Sequence, residues 1–306
     1  MKNKGDEVQI KSLFKYKGLS RYMGIEGEIP IVGGYTFIGL EVELENISKD
    51  NVENLSKSTW TSVVDGSLKN KGREFVTIPI RFRYLEVELK RLFSGLISPV
   101  TSSRCSVHVH INVRDMTTDE LASFIVLYSI FERALYRFSG DRWDSNFCVP
   151  IQASPSYPCR LLQSLKLTPH NTQIVWYKYM GFNVCPIFGL DGSDRIGTIE
   201  FRHLKGTMDI NLIINWINLI ISLKIAAKTT SLSYLERILL QMNSDSSYTT
   251  LAESVFGGLS PLILEQPTFK RDIETCITST KKILLPPSKT EEIIIDIPKG
   301  HKLCVA

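Results

Sequence analysis

Alternating apolar and polar residues predict six β-strands along the chain. Side chains of a strand point to opposite faces in turn, so strict alternation indicates a strand with one buried face. Turn residues lie between neighbouring strands at Asp65 and Gly66 and at positions 191–193. The predicted strands cover residues 35–45, 60–64, 73–78, 105–113, 182–190 and 197–204.

Apolar residues at helical spacing predict helices between and after these strands. The predicted helices cover residues 79–96, 117–138, 210–227 and 231–242, and another ends before Pro286 and Pro287. Thr117 with Glu120 forms a capping box, and Asp209 is an N-cap. Residues 140–172 are predicted to form a long functional loop, and 292–297 a late strand or tail. Strands followed by helices predict an α+β fold, an antiparallel β-sheet with helices packed on one face.

Three of the predicted strands present polar residues on the face opposite their apolar residues. These rows are Glu41, Glu43 and Glu45, then Ser106, His108, His110 and Asn112, then Thr198, Glu200 and Arg202. The solvated face of an open antiparallel sheet explains any one row taken alone. However, like charges on one face repel unless a positive group lies between them. Carboxylate oxygens suit Mg²⁺ or Mn²⁺, and arginine suits a phosphate or carboxylate, so the rows together favour a metal and phosphate site.

Composition narrows the class of protein only slightly. The chain has 306 residues, 43% of them hydrophobic, which excludes collagen-like, coiled-coil and wholly disordered classes. With 36 Lys and Arg against 32 Asp and Glu, the net charge of +4 neither indicates nor excludes nucleic acid as a partner. Polar residues interrupt the apolar run at 212–227, so we expect a buried core helix and no membrane association.

The cysteines and the N-terminus bear on the compartment. The six cysteines contain no CxxC pair, and the polar N-terminus does not resemble a secretory signal peptide. We therefore expect reduced, buried cysteines and a cytoplasmic location. A Walker A loop, a GxGxxG turn and a GxSxG elbow are all absent from the sequence. His108 and His110 with a carboxylate leave zinc open as an alternative.

Taken in order along the chain, the motifs are similar to those of the amidoligase family. The family is a branch of the carboxylate–amine ligases related to glutamate–cysteine ligase and glutamine synthetase, and the resemblance covers about residues 35–220. The motifs that carry it are 39–43, 65–68, 72–76, 105–110, 198–202 and 206–209, with Trp60, Arg142, Asn146, Lys178, Tyr179 and Asn183. Ser106 stands where the family has glycine two residues before the His-x-His pair.

The resemblance implies a sheet whose concave face holds ATP and divalent ions, Mg²⁺ or Mn²⁺. It implies Glu41, Glu43 and Glu200 as metal ligands, Glu74, Arg142 and Arg202 as catalytic residues, and His108, His110, Arg142, Asn146 and Lys178 near the nucleotide. It also implies that Tyr179 and Asn183 line the substrate side. The implied reaction transfers the γ-phosphoryl group of ATP to a glutamyl or other amino-acid carboxylate, and an amine then attacks the acyl-phosphate. Partners would be small-molecule or peptide acids and amines.

The sequence further predicts an N-terminal lead-in at 1–30, a catalytic domain at 31–230 and a C-terminal helical extension and tail at 231–306. A bacterium or a phage-infected host is the expected source, and assembly into a homo-oligomer stays open. One alternative is an inactive scaffold of the same fold that binds partners through a tail at 288–306. Another is a zinc-dependent hydrolase that uses His108, His110 and Glu200.

Overall fold

The computed structural model describes residues 8–18, 26–48, 52, 59–167, 174–190, 194–284 and 304–305. Its strands are β1 Phe37–Leu44, β2 Trp60–Val63, β3 Arg73–Thr77, β4 Ile80–Arg81, β5 Ser106–Asn112, β6 Val175–Trp176, β7 Phe182–Asn183, β8 Thr198–Lys205 and β9 Cys304–Val305. Its α-helices are α1 Ile10–Leu13, α2 Leu85–Ser94, α3 Thr118–Phe138, α4 Ser156–Leu167, α5 Cys185–Phe188, α6 Ile210–Thr229, α7 Leu232–Gln241, α8 Asp245–Phe256, α9 Pro261–Leu264 and α10 Phe269–Leu284.

An open sheet organises the fold. In the described part of the chain, seven strands form one sheet in the order β2-β3-β1-β5-β8-β7, and β4 also pairs with β1. Every one of these pairings is antiparallel. Strands β6 and β9 form a separate two-stranded sheet. The predicted α+β class with an antiparallel sheet is therefore confirmed.

One face of the sheet packs against the helices. The even-numbered residues of β1 and the odd-numbered residues of β5 are apolar and fully buried, as the alternation predicts. Aromatic side chains link the two layers: Phe124 of α3 lies 6.0 Å from Phe201 of β8, and Tyr128 lies 4.6 Å from Phe182 of β7. Five of the cysteines are buried free thiols, as predicted. Apolar burial on this face is the main source of stability.

Helices α3 and α6 form the centre of the helical layer. The Thr117 side chain accepts a hydrogen bond from the Glu120 N–H, and Glu120 accepts one from the Thr117 N–H, so the predicted capping box begins α3. Asp209 caps α6 through the Leu212 N–H. Helix α6 is long and apolar enough to cross a membrane, but 67% of its apolar 18-residue window is buried inside the protein. The prediction of a buried core helix is confirmed.

A bulge in β8 changes the alternation of its side chains. Val107 of β5 pairs with Leu204, whereas Val109 pairs with Phe201, so β8 contains one extra residue opposite β5. As a result Phe201, His203 and Leu204 are all fully buried, although His203 and Leu204 are adjacent in sequence. The bulge therefore places an imidazole in the helical core directly after the last residue of the polar row.

Three predicted elements are wrong. Residues 140–172 are not one long loop, because α4 and a 3₁₀ turn at Ile151–Ala153 lie within them. The strand predicted at 182–190 ends at Asn183, because Pro186 and a left-handed Gly189 enclose the short helix α5. The helix predicted from Pro79 begins only at Leu85, since Ile80–Arg81 pairs with β1 as β4 and a 3₁₀ turn follows.

Several predictions fall partly or wholly on residues that the structure does not describe. The turn at 191–193, Pro286 and Pro287, and the strand or tail at 292–297 lie outside the described residues. The helix predicted before Pro286 is α10, which ends at Leu284. Helices α7, α8 and α10 contribute side chains to the same hydrophobic core as the sheet, and the three-part division of the chain stays a prediction.

A buried carboxyl group on α3, that of Glu132, connects this helix to the 3₁₀ turn at Ile151–Ala153. Its oxygens accept hydrogen bonds from the Ile151 N–H at 2.7 Å, the Gln152 N–H at 3.1 Å and the Tyr128 hydroxyl at 2.9 Å. The Tyr128 oxygen lies 2.6 Å from His203 Nε2. Burial raises the pKa of Glu132 to about 7, although these hydrogen bonds act in the opposite direction.

We expect Glu132→Gln to flatten the pH dependence of stability. The folded protein keeps the Glu132 proton up to about pH 7, whereas the unfolded chain loses it near about pH 4.3. The folded state then binds more protons between these values, so the unfolding free energy falls as the pH rises, by up to about 1.4 kcal/mol per unit. Urea unfolding across this window measures the slope. Exposed Glu253→Gln is the control, and equal slopes in the wild type and Glu132→Gln would contradict the expectation.

Candidate functional site

The polar rows predicted on β1, β5 and β8 lie together on the face of the sheet opposite the helices. They do not form an ordinary solvated face, because loops cover them: His108 is 3% exposed, Glu43 5% and Glu200 6%. The covering residues include Tyr179 and Phe147, whose rings meet edge to face at 5.5 Å. The alternation therefore predicts the correct face, and burial overturns the solvated-face alternative.

Glu41 lies at the centre of this face, opposite His108 in the pairing of β1 with β5. Its two carboxylate oxygens contact two histidines, with Oε2 at 2.9 Å from His108 Nδ1 and Oε1 at 3.1 Å from His110 Nε2. The second ring nitrogen of His110 lies 3.0 Å from the Thr198 hydroxyl. One carboxylate thus bridges both imidazoles of the His-x-His pair.

Glu43 and Ser106 form a second contact between β1 and β5. The Ser106 N–H and hydroxyl both lie 2.6 Å from Glu43 Oε2, and the hydroxyl is 2.8 Å from His108 Nε2. Ser106 therefore connects the Glu43 carboxylate to the His108 imidazole. This role could not be recognised from the sequence, in which Ser106 is only a small polar residue.

Glu200 and Arg202 form the β8 side of the site. Glu200 accepts hydrogen bonds from the Arg202 guanidinium and from Asn183 Nδ2, the latter at 2.8 Å. Arg202 Nε donates to the Phe147 carbonyl at 3.1 Å, and Arg142 donates to the Arg202 carbonyl at 3.0 Å. Asn183 also accepts a hydrogen bond from the Cys185 N–H, which fixes its amide at the start of α5.

The charges of this network determine the protonation of its members. Burial raises the pKa of Glu41, but the charges and hydrogen bonds of His110 and His108 lower it well below its ordinary value. Burial likewise raises the pKa of Glu200, and Arg202 and both histidines lower it overall. Burial lowers the pKa of His110, yet the Glu41 carboxylate raises it overall. Glu41 and Glu200 are therefore ionised at neutral pH.

Glu74 behaves in the opposite way. It faces Glu43 across the β1–β3 pair. Burial and the negative charges of Glu41, Glu43 and Asp65 raise the pKa of Glu74 to about 8. The site therefore holds more negative charge from carboxylates than its positive groups neutralise. Such an excess of negative charge is a property of cation-binding sites.

Two groups of side chains are close enough to hold a metal ion. The first is Glu41, His108 and Glu200, and the second is Glu43, Glu74 and His108; within each group the candidate ligand atoms lie within 4.8 Å of one another. His108 belongs to both groups. His110 belongs to neither group of described residues; its ring nitrogens contact Glu41 and Thr198.

Two cavities open on either side of Glu41, and Tyr179 and Arg202 line both of them. The first, which we call the charged cavity, has a volume of about 440 Å³ and is lined by Glu41, Glu43, Asp65, Glu74, His108, Arg104, Arg142 and Arg202, among others. The second, the mixed cavity, has a volume of about 500 Å³ and contains His110, Lys178, Asn183, Asp194 and Glu200. Both volumes fall within the range of small-molecule sites, roughly 300–1,000 Å³.

Most of the predicted site residues meet at these cavities. Asn146 does not: it is exposed, while its neighbours Ser145 and Phe147 line the charged cavity. Sequence reasoning missed Arg104, which lines the charged cavity and donates to the Ser67 carbonyl at 2.9 Å. It also missed Asp65 as a lining residue. The turn at Asp65 and Gly66 was predictable, but its folding over the polar face was not.

The fold and the site define an α+β protein whose antiparallel sheet carries a covered face of carboxylates, histidines and arginines. No family model matches the sequence, and a search of curated proteins finds no match. The similarity to the amidoligase family therefore rests on the motifs given above, and the activity that it implies is a proposal.

We expect Glu74→Gln to stabilise the protein at alkaline pH when divalent cations are removed with EDTA. Folded Glu74 keeps its proton up to about pH 8, whereas the unfolded chain loses it near about pH 4.3. Stability from Glu74 is therefore lost as the pH rises through this window, and a glutamine stays neutral. Thermal unfolding at intervals from about pH 5 to about pH 9 tests this.

The control is Glu265→Gln, on the surface outside the site. If the Tm of wild-type protein and of Glu74→Gln fall in parallel up to about pH 9, the pKa of Glu74 is not raised in the folded protein, and the expectation is wrong.

Proposed function

We propose that the protein is an ATP- and Mg²⁺-dependent carboxylate–amine ligase that forms an amide bond through an acyl-phosphate. The observation that carries the proposal is the meeting of Glu41, His108, Glu200 and Arg202 on one covered face of the sheet. These residues come from three different strands, and each belongs to one of the motifs that carry the resemblance. The glutamine synthetase-like form of the sheet is part of the same proposal.

The side chains fit divalent cations of the Mg²⁺ or Mn²⁺ class. Four carboxylates, Glu41, Glu43, Glu74 and Glu200, supply hard oxygen ligands, and His108 lies between the two candidate groups. The raised pKa of Glu74 supports this fit, because it results partly from repulsion by Glu41 and Glu43. When bound, such cations neutralise the charge of the phosphate oxygens during phosphoryl transfer.

The arginines supply fixed positive charge beside these carboxylates. Arg202 is held between Glu200, the Phe147 carbonyl and the Tyr179 ring, whose centroid lies 5.5 Å from the guanidinium carbon. Burial lowers the pKa of Arg202, but Glu200 and Glu41 raise it overall, so the group stays charged. Arg142 is fixed by the Arg202 carbonyl. Preorganised guanidinium groups can orient a phosphate or a developing acyl-phosphate without reorganisation during the reaction.

This arrangement suits a reaction that needs no protein nucleophile. A carboxylate condenses with an amine only after its oxygen becomes a good leaving group, and transfer of a phosphoryl group achieves this. Phosphoryl transfer depends mainly on positioning and charge stabilisation. Five of the cysteines are buried, and burial raises the pKa of Cys148 to about 11. On this proposal Tyr179, Asn183 and Lys178 line the side from which the acid and amine enter.

We expect Glu41→Gln and Glu200→Gln to abolish activity while the fold survives. Each removes a carboxylate from the first candidate metal group, so Mn²⁺ affinity should fall at least about tenfold and ADP release at least about a hundredfold. Loss of the free Mn²⁺ signal in electron paramagnetic resonance measures binding, and a screen of acid–amine pairs measures ADP release. Circular dichroism tests the fold.

Glu45→Gln is the matched control. Glu45 directly follows β1 and is 2% exposed, but its carboxylate accepts a hydrogen bond from the Lys69 N–H and belongs to neither metal group. Wild-type turnover in Glu41→Gln and Glu200→Gln would overturn the metal assignment. If calorimetry detects no Mg-ATP binding at millimolar nucleotide, the inactive scaffold is supported instead, and stoichiometric zinc would support the hydrolase.

A further inference from the structure

A third cavity, which we call the apolar cavity, opens on the polar face next to Glu41. It has a volume of about 240 Å³ and extends along β1 from Glu41 to Phe37, away from Glu43. Glu41 and His110 lie at its boundary with the mixed cavity. Its walls include Phe37, Gly39, Val76, Pro79, Asn112 and Ile196.

Gly39 lines the apolar cavity and has no side chain to occupy it. Gly39 lies on β1 between Phe37 and Glu41 and shares their face of the sheet. Its backbone does not require glycine, since its φ is not positive and an added Cβ would lie 3.6 Å from the nearest atom, His110 Cβ. A larger side chain at this position would extend into the cavity instead of clashing with the backbone.

The polar groups around the apolar cavity already have protein partners. The Thr77 hydroxyl accepts a hydrogen bond from the Leu40 N–H at 2.8 Å, and the Thr198 hydroxyl lies 3.0 Å from His110. At the rim, Lys17 pairs with Asp194.

Two further polar residues of the wall are engaged in the same way. Arg114 donates two hydrogen bonds to the Ile196 carbonyl, at 3.0 and 2.6 Å. The Asn112 amide donates to Asp115 at 3.4 Å. A charged or strongly polar ligand group would lose its hydrogen bonds to water in the cavity without gaining protein partners. An uncharged apolar group has no such hydrogen bonds to lose.

The charged cavity indicates which ligand enters the apolar cavity. Its arginines and carboxylates suit the Mg²⁺-triphosphate of the proposed reaction. In phosphoryl transfer the attacking and leaving oxygens are roughly in line, so the acceptor approaches from the side opposite ADP. The apolar cavity lies across Glu41 from the charged cavity, on the side of the organic substrates.

We propose that the apolar cavity binds an uncharged apolar group of the acid or amine substrate, which places the reacting group at Glu41. This assignment rests on the ligase function proposed above. A volume of about 240 Å³ is below that of whole-ligand sites, roughly 300–1,000 Å³, so the cavity accommodates one part of a substrate whose polar end extends towards Glu41. The substrate class is thus an amphipathic acid or amine with its apolar body directly beside the reacting group.

Filling the cavity tests the proposal. Gly39→Val and Val76→Phe fill it from two neighbouring strands, and Gly258→Val is the control, because no atom lies within 4 Å of a Cβ added at Gly258. The neutral probe is benzyl alcohol, since an apolar cavity of roughly 150 Å³ already accommodates benzene. Ligand-detected NMR measures its binding, calorimetry measures Mg-ATP binding, and thermal unfolding verifies that each variant folds.

We expect saturable benzyl alcohol binding to wild type and to Gly258→Val, at least about tenfold weaker binding to both filled variants, and nearly unchanged Mg-ATP affinity. Benzylamine and phenylacetate then distinguish the two sources, because the probe that binds more tightly identifies whether the amine or the acid carries the apolar group.

No saturable binding of benzyl alcohol to wild type, or equal binding in the filled variants, would overturn the proposal while leaving the ligase function intact. A matching loss of Mg-ATP affinity in the filled variants would also overturn it, because the cavity would then hold the nucleotide base. If wild-type protein does not bind Mg-ATP at all, the ligase function itself fails, and the substrate assignment fails with it.

Discussion

The register between β1 and β5 determines the chemistry of the polar face. It places Glu41 directly opposite His108, and the same alignment brings His110 opposite Gly39, where no side chain intervenes. A slip of one residue would turn either strand over and move its charged residues into the helical core. The alternating apolar residues of both strands prevent that slip, since they are fully buried under the helices. The core therefore fixes the register, and the register assembles the site.

Burying so many charged groups lowers stability unless each is paired. Glu41 and Glu43 have partners on β5, and Glu200 has Asn183 on β7 and Arg202 on its own strand; these contacts compensate for their lost hydration. Glu74 is the exception, because the charges of Glu41, Glu43 and Asp65 that act on it are also negative. Such local repulsion is tolerated where the surrounding fold is stable, and it is characteristic of sites that bind a ligand of opposite charge.

The sequence predicts the strands of the site well because alternation reports directly on which face of a sheet is buried. The rows that contain Glu41, His108 and Glu200 lie together as expected. The sequence does not predict that Arg104 and Phe147 cover them, because the positions of these two residues depend on contacts between segments distant along the chain. Local propensity misleads at 140–172 for a similar reason: its Pro, Ser and Asn residues resemble a loop, whereas helix α4 is stabilised by packing.

The bulge in β8 has a consequence for the length of that strand. On one side of the bulge, Thr198, Glu200 and Arg202 alternate in phase with β5 and face the site; on the other, Leu204 continues the apolar core in the opposite phase. His203 occupies the place where the phase changes, with its ring 5.2 Å from Trp216 and its Nε2 near the Tyr128 hydroxyl. Because β8 is one residue longer than β5, it contributes two adjacent residues, His203 and Leu204, to the core. Without that extra residue, Leu204 would alternate regularly with Arg202 and Phe201 and would keep its place opposite Val107, whereas the core would lose the His203 imidazole and its contact with the Tyr128 hydroxyl.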